Sequence, residues 1–515
     1  MAHRDGHLGT TRFRLGSCLA ATMIAAVVSA CAGGGLGRSD DFGRKELSGQ
    51  LVVNGHFNQN LIGTWRGLGH GTLLEISKDS ITQFEEAKTL CYPDPGKPEG
   101  VRSAQIRDEA FHGVFESGRA RVEVFEVAGA PVVELTLERI DGIPANCRAE
   151  VAPTPQNTFK AMWEMMDLDY AFFSERHIDD WGARLATLAP KAALARDDSA
   201  LQAVLIEAVH DFNDDHVQLR RLQDGDLRPV FNARNTPTVH MLKRAFENQT
   251  RFDDPRKFEK AWKESVTNQI AQRLSESSGL VLNGAVLWGK LPGNVGYIGI
   301  SRMVAYGKGV TSIDESRAAQ DLALIRAEMD RAIKALAGTK AIIVDVTLNM
   351  GGRDLVSAEI AGRFADTSRL AFTKRLHRPQ GTGTQSWYIS PKGSAQYLKP
   401  VYLLTSDRTV SAGETFTLMM RELPHVKHVG QTTAGSLSDI LEKPLPGNFL
   451  ITIPNEIYLD PRGVLFEGGG IPPQQTLAIF DPANPESLFS GHGAAITALL
   501  PCGGSNIKSN SIGKA

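Results

Sequence analysis

The chain has 515 residues, 42% of them hydrophobic and 22% charged, which is the make-up of a soluble globular protein long enough for about three domains. Its 56 basic and 58 acidic residues leave a formal net charge of −2, so nothing argues for a broad cationic surface and nucleic acid is not an expected partner. No Cys/His spacing of the metal-binding kind occurs, so neither a metal nor another cofactor is expected.

Residues 1–31 read as a targeting segment. Arg12 and Arg14 precede an apolar stretch over 15–28 that is too short and poorly flanked to remain a membrane span, which marks a secretory signal. It ends in Val28-Ser-Ala-Cys31, and small residues directly before a cysteine resemble the lipobox of bacterial lipoproteins. That resemblance implies a lipidated Cys31 and a mature protein held on a membrane surface of the cell envelope, outside the cytoplasm; the alternative is an ordinary signal cut nearby. Residues 32–50, rich in Gly, Ser and charge, suit a flexible tether. With Cys18 removed and Cys31 assigned to lipid, Cys91 and Cys147 are placed to pair within one small domain of an oxidising compartment, leaving Cys502 alone near the tail.

Over 51–152, short alternating segments separated by turns predict a small β domain. Its opening Gly63-Thr-Trp-Arg-Gly-Leu-Gly69 resembles the Gly-x-Trp start of lipocalin-like barrels, although a tryptophan there serves equally well as a core plug. From 153 to 285 the period turns helical, with Phe159, Trp163, Met166, Tyr170 and Phe173 at three- and four-residue steps. Inside that region, Asp211-Phe-Asn-Asp-Asp-His-Val217 gathers three carboxylates and a histidine behind an apolar helix. A solvated acidic helix end, a hard-cation site and a catalytic histidine with acidic neighbours all fit it; EF-hand spacing is missing. Residues 238–275 are helical in pattern, so no PDZ-like stretch for capturing a free C-terminus is expected.

Strand and helix alternate over 286–482, which predicts an α/β core; a terminal helix and polar tail fill 483–515. Two junctions stand out. The apolar run Ala341-Ile-Ile-Val-Asp-Val-Thr347 leads through Asn349-Met-Gly-Gly352 into a helix over 354–364, and the strand 400–405 leads through a turn into a helix over 412–423. Ser411 stands at the start of the second helix, where unpaired N–H groups would meet a developing oxyanion. Ser411-Ala-Gly-Glu414 also fits the S-x-x-E capping box, in which the serine merely closes the helix end.

Six segments in sequence, Asp215-His-Val217, Gly296-Tyr-Ile-Gly-Ile300, Asp345 with Asn349-Met-Gly-Gly352, Thr409-Val-Ser-Ala-Gly-Glu414, Val429-Gly-Gln-Thr-Thr-Ala-Gly435 and Glu467-Gly-Gly-Gly-Ile-Pro-Pro473, resemble in their order the tail-specific (C-terminal processing) and tricorn-core serine peptidases. The resemblance covers about 153–480. It implies a crotonase-like ββα-spiral core, a peptide or protein substrate, Ser411 as nucleophile, and an oxyanion hole from the Ala412 N–H with one from Gly351 or Gly352. In the processing branch a lysine base occupies the place that Ser436 holds here. The tricorn-like branch uses histidine and glutamate instead, which fall on His216 and Glu467; Asp215 and Ser436 then become candidate supporting hydrogen-bond partners. Lys427 and Lys443 are the fallback bases, provided that burial lowers their pKa. The competing reading is a binding or scaffold protein on the same fold, because the family includes retinoid-binding members. Oligomeric state is not readable from the sequence.

Overall fold

The apolar run 341–347 becomes Ala341–Asp345, the central strand of a seven-stranded sheet. The structure is a computed structural model that describes residues 44–96, 100–105, 109–116, 119–126, 130–310, 317–378 and 383–501; the expected signal, Cys31, most of the tether and Cys502 lie outside these. The sheet starts with antiparallel strands Leu280–Val281, Val286–Leu291 and Val295–Ile300. It continues in parallel through Ala341–Asp345, Val401–Thr405, Val426–Gly430 and Gln475–Thr476. A parallel strand is covered on both faces, which is why this one reads as an unbroken apolar run. Ile342 and Val344 pack with Ile325, Met329, Val356, Ile360 and Phe416 of three helices, Ala318–Leu336, Asp354–Ala361 and Ala412–Arg421. Ile343 faces the other way, among Trp262, Val266, Ile270 and Ile496. Each such side chain contributes about 1.5–3 kcal/mol through burial.

The expected helical region divides in two. Pro155–Asp169, Trp181–Ala193 and Asp198–Val209 share a core with Phe449, Ile451 and Ile453, whereas Pro237–Glu247 and Pro255–Ala271 pack on the main sheet. Between them the hairpin Gln218–Gln223 and Asp226–Asn232 joins a four-stranded sheet with Phe449–Pro454 and Ile440–Pro444. The region therefore interlocks with the core, and this pairing carries the 211–217 loop toward Ser411. The strand expected over 449–459 breaks at Asn455: Glu456–Leu459 pairs with Arg369–Leu376 in a separate sheet. Asn455 leaves the ladder to donate its side-chain amide to the Gly69 carbonyl at 2.8 Å.

The N-terminal β region forms a nine-stranded antiparallel sheet whose path runs from Arg44–Gln50 to Cys91–Pro93, with no pairing between those two strands among the described residues. Trp65 is fully buried and donates to the Leu61 carbonyl at 2.9 Å, so it acts as a core plug. Cys91 and Cys147 form a disulfide. Lys443, one of the fallback bases, docks this region onto the core. Its ammonium is buried with Glu85 at 2.8 Å, the Gly71 carbonyl at 3.0 Å and Thr72 at 3.2 Å. It is committed to an interface rather than to Ser411. Among the described residues no helix is long and apolar enough to cross a membrane.

Because Glu85 and Lys443 are both buried, removing one strands the other charge. Glu85→Ala is expected to cost about 3–5 kcal/mol, read as a lowered urea midpoint; an unchanged midpoint would mean that the pair does not hold the two regions together.

Candidate active site

Ser411 sits where the two strand–turn–helix junctions meet. The turn preceding it is built by short polar side chains that satisfy neighbouring backbone: Ser406 donates to the Thr347 carbonyl at 2.6 Å and Thr409 to the Val346 carbonyl at 2.7 Å. These bonds tie the second junction to the end of the central strand. Ser411 itself has φ 57° and ψ −125°, a conformation that costs a non-glycine residue on the order of 1–3 kcal/mol. An ordinary N-cap occupies the extended region. Its N–H donates to the Ser436 carbonyl at 2.9 Å, and Glu414 accepts from the same N–H at 3.3 Å. The capping box is thus present on a serine whose backbone is also strained.

The first junction presses against this residue. A Cβ on Gly351, whose φ is 82°, would stand 2.5 Å from the Ser411 Cβ and 3.1 Å from its Oγ; only glycine fits there. Asn349 shapes the turn, accepting the Gly351 N–H at 2.8 Å and donating to the Ile300 carbonyl at 2.9 Å. The Gly351 N–H is therefore used internally. Among the described residues the N–H groups of Gly352 and Ala412 have no acceptor, which narrows the expected oxyanion donors to Gly352 and Ala412. Asn349 was visible in the Asn349-Met-Gly-Gly352 motif but was not singled out as a site residue.

Behind Ser411 lies a buried polar cluster. Glu414 accepts from Thr433 Oγ1 at 2.6 Å and from the N–H groups of Gly435 and Ser436, both at 2.8 Å. Burial pushes its carboxyl up to about 7, and those donors pull the other way. The Ser436 hydroxyl lies 3.2 Å from Asp214 and accepts the Asp215 N–H at 3.1 Å. Asp214 in turn accepts the His216 N–H at 2.9 Å and the Tyr170 hydroxyl at 3.0 Å. The loop bearing His216 is thus bonded to the turn that holds Ser411. Tyr170 and Arg176 are missing from the sequence-based site because what recruits them is tertiary, whereas Glu414 stood there only as the capping partner and Asp214 only as one of the loop carboxylates.

His216 is buried, its Nδ1 has no hydrogen-bond partner, and among the described residues its ring bonds neither Ser411 nor Glu467. Burial lowers its pKa, opposed by the Asp214, Asp215 and Asp439 carboxylates, so the imidazole is held neutral. Asp215 spends its carboxylate on Asn232 at 2.7 Å and Arg234 at 3.2 Å, securing the loop to the neighbouring hairpin. Glu467 spends its carboxylate on other partners. One oxygen accepts the Leu437 and Ser438 N–H groups at 2.8 and 3.1 Å, and the other faces Arg176 at 3.1 Å. Burial pushes its carboxyl up to about 8 even though Arg176 pulls it down. Of the fallback bases, Lys427 is exposed and bonds Gln475, and Lys443 is the interface cation already described. Among the described residues no group of three or more His, Cys, Asp or Glu side chains is placed to hold a metal ion.

The arrangement offers a partly exposed serine hydroxyl, two convergent N–H donors and a neutral histidine on a bonded loop, the parts that acyl transfer requires. Residues 294–477 match the model of peptidase family S41. Among solved structures, a Parabacteroides merdae ATCC 43184 protein described as a peptidase is 21% identical with a TM-score of 0.50, over 68% of this chain and 98% of that one. Mature CPAF in complex with lactacystin is 13% identical with a TM-score of 0.44, over 66% and 96% of the two chains. The tricorn protease is 13% identical with a TM-score of 0.38, over 83% of this chain and 46% of its own. The first of these structures is similar in fold, and the family match falls on the strands, glycine turn and helix that converge on Ser411, so that residues 294–477 are similar to the peptidases of family S41.

Proposed function

We propose that this chain hydrolyses peptide bonds of peptides or polypeptides at Ser411, on a crotonase-like ββα core, with His216 as the base and Glu467 as the third member of the site. The observation that carries the reading is the pair of acceptor-free N–H groups, Gly352 and Ala412, on either side of the strained Ser411. In acylation the Ser411 hydroxyl adds to the substrate carbonyl as its proton passes to the neutral His216 imidazole, and the two N–H groups receive the oxyanion. His216 then returns that proton to the leaving amine. Water repeats the sequence to release the acyl group, and the serine is restored. Glu467 acts through Arg176 and the 437–438 backbone rather than by touching the imidazole, so its influence is on how the turn and loop are held.

The His216 ring makes no bond to Ser411, which favours a second reading in which the fold serves as a binding protein. Against it, catalytic hydrogen bonds are commonly long in a free enzyme and tighten only with substrate bound. The lipobox-like Val28-Ser-Ala-Cys31 supports a lipid-anchored, extracytoplasmic location.

A fluorophosphonate probe is expected to label the wild type and not Ser411→Ala, with His216→Ala labelled at least about 100-fold more slowly; labelling of Ser411→Ala at the wild-type rate would remove Ser411 from the reaction. Gly351→Ala is expected to fold and yet lose labelling by about 100-fold or more, since the added methyl displaces Ser411; a normal rate would show that the close approach does not matter. Cys31→Ser is expected to move the protein from the membrane fraction to the soluble one, and continued membrane retention would count against the lipid anchor.

A further inference from the structure

The group that joins the most parts of this site is Arg176, a residue outside both the strand–turn–helix junctions and the proposed triad. It lies in the turn after the helix Pro155–Asp169, and its side chain is only 2% exposed. Nη1 donates to the Asn213 carbonyl, two residues before Asp215. Nη2 donates to the Gly435 carbonyl, to Ser436 Oγ at 3.1 Å and to Glu467 at 3.1 Å, and lies 3.5 Å from Asp214. Three separate segments, 213–214, 435–436 and 467, therefore close on one guanidinium. The first carries His216, the second accepts the Ser411 N–H, and the third is the proposed carboxylate.

Gly468 fixes the turn that presents this arginine, because a Cβ there would stand 2.8 Å from the Glu175 carbonyl oxygen. The charges also need the cation. Asp214, Glu414 and Glu467 are all buried around Ser436, and of the groups that pull the Glu467 carboxyl downward Arg176 is foremost. A guanidinium keeps its proton at every working pH, so it is unable to serve as a base, but its planar fork satisfies several acceptors at once.

We propose that Arg176 is a positioning residue of the peptidase reaction: it clamps the His216 loop onto the turn that holds Ser411, and it supplies a permanent positive charge at Ser436, the place where the processing branch carries its lysine base. The proposal rests on the peptidase reading above. It separates two roles that one lysine combines, since here the charge comes from Arg176 and the proton acceptor is His216.

The test uses the full chain and the pH dependence of the fluorophosphonate labelling rate. Arg176→Met is expected to slow labelling by about 100-fold, the effect of a misplaced base, and to move the acid limb of the profile to higher pH. The sign follows from the charges: Arg176 pulls the Glu467 carboxyl down, so without the cation Glu467 retains its proton to higher pH and ionises later as pH rises. Arg176→Lys, which keeps the charge and loses the fork, is expected to restore the limb while remaining slow. Should Arg176→Met fail to fold by circular dichroism, Arg176→Met/Glu467→Gln removes the pair together; this double variant is expected to fold and still label slowly. A folded single or double variant with the wild-type rate and profile would overturn the role of Arg176. A wild type that takes no label would instead overturn the peptidase reading itself.

Discussion

The hydrogen bond from the Ser411 N–H to the Ser436 carbonyl is the constraint on which the site depends. It holds a serine in a backbone conformation that the residue would not choose, and it fixes that serine against the turn whose other groups bind the His216 loop. Around it the two junctions divide the work. The glycine turn provides room and one donor, the helix start provides the second donor, and Asn349 keeps the Gly351 N–H from competing by giving it an internal acceptor. Glu414 then welds the back of the arrangement through four donors. The serine closes a helix and is strained as well; the S-x-x-E pattern alone describes only the first of these.

A site assembled this way has to reach across the chain, and the four-stranded sheet is how it does so. Gln218–Gln223 pairs with Phe449–Pro454, so His216 sits at the start of a strand whose partner belongs to the far end of the core. Thr452 reinforces the connection, donating its hydroxyl to the His216 carbonyl and accepting the Gln218 N–H at 3.0 Å. The loop is located by its backbone, while its imidazole is left without a fixed partner. That combination suits a base whose last adjustment occurs when substrate arrives.

Much of this was legible in the residues. The central strand announced itself because burial on both faces removes polar alternation, and the Gly351-Gly352 turn because no other residue tolerates such an approach. The Cys91–Cys147 pairing was one possibility raised by the compartment and by the placing of both cysteines in one small domain, and the fold forms that bond. What was not legible was contact between distant segments. Arg176 follows an aromatic stripe and belongs to no motif; only the folded chain brings it to Glu467, 291 positions away. The 449–459 strand looked continuous because alternation persists through Asn455, and the break depends on a carbonyl from the N-terminal region. Lys443 is the reverse case, a lysine that reads as a fallback base until Glu85 covers it.

That covering lysine sets an order of events during synthesis. Glu85 emerges from the ribosome 358 residues ahead of the ammonium that neutralises it, so the early β region is made while one of its carboxylates still needs water around it. A nascent chain in this condition keeps that edge hydrated and unattached. Only when the last strands of the core are made does the edge become dry, which makes attachment of the first-made region one of the final steps in maturation.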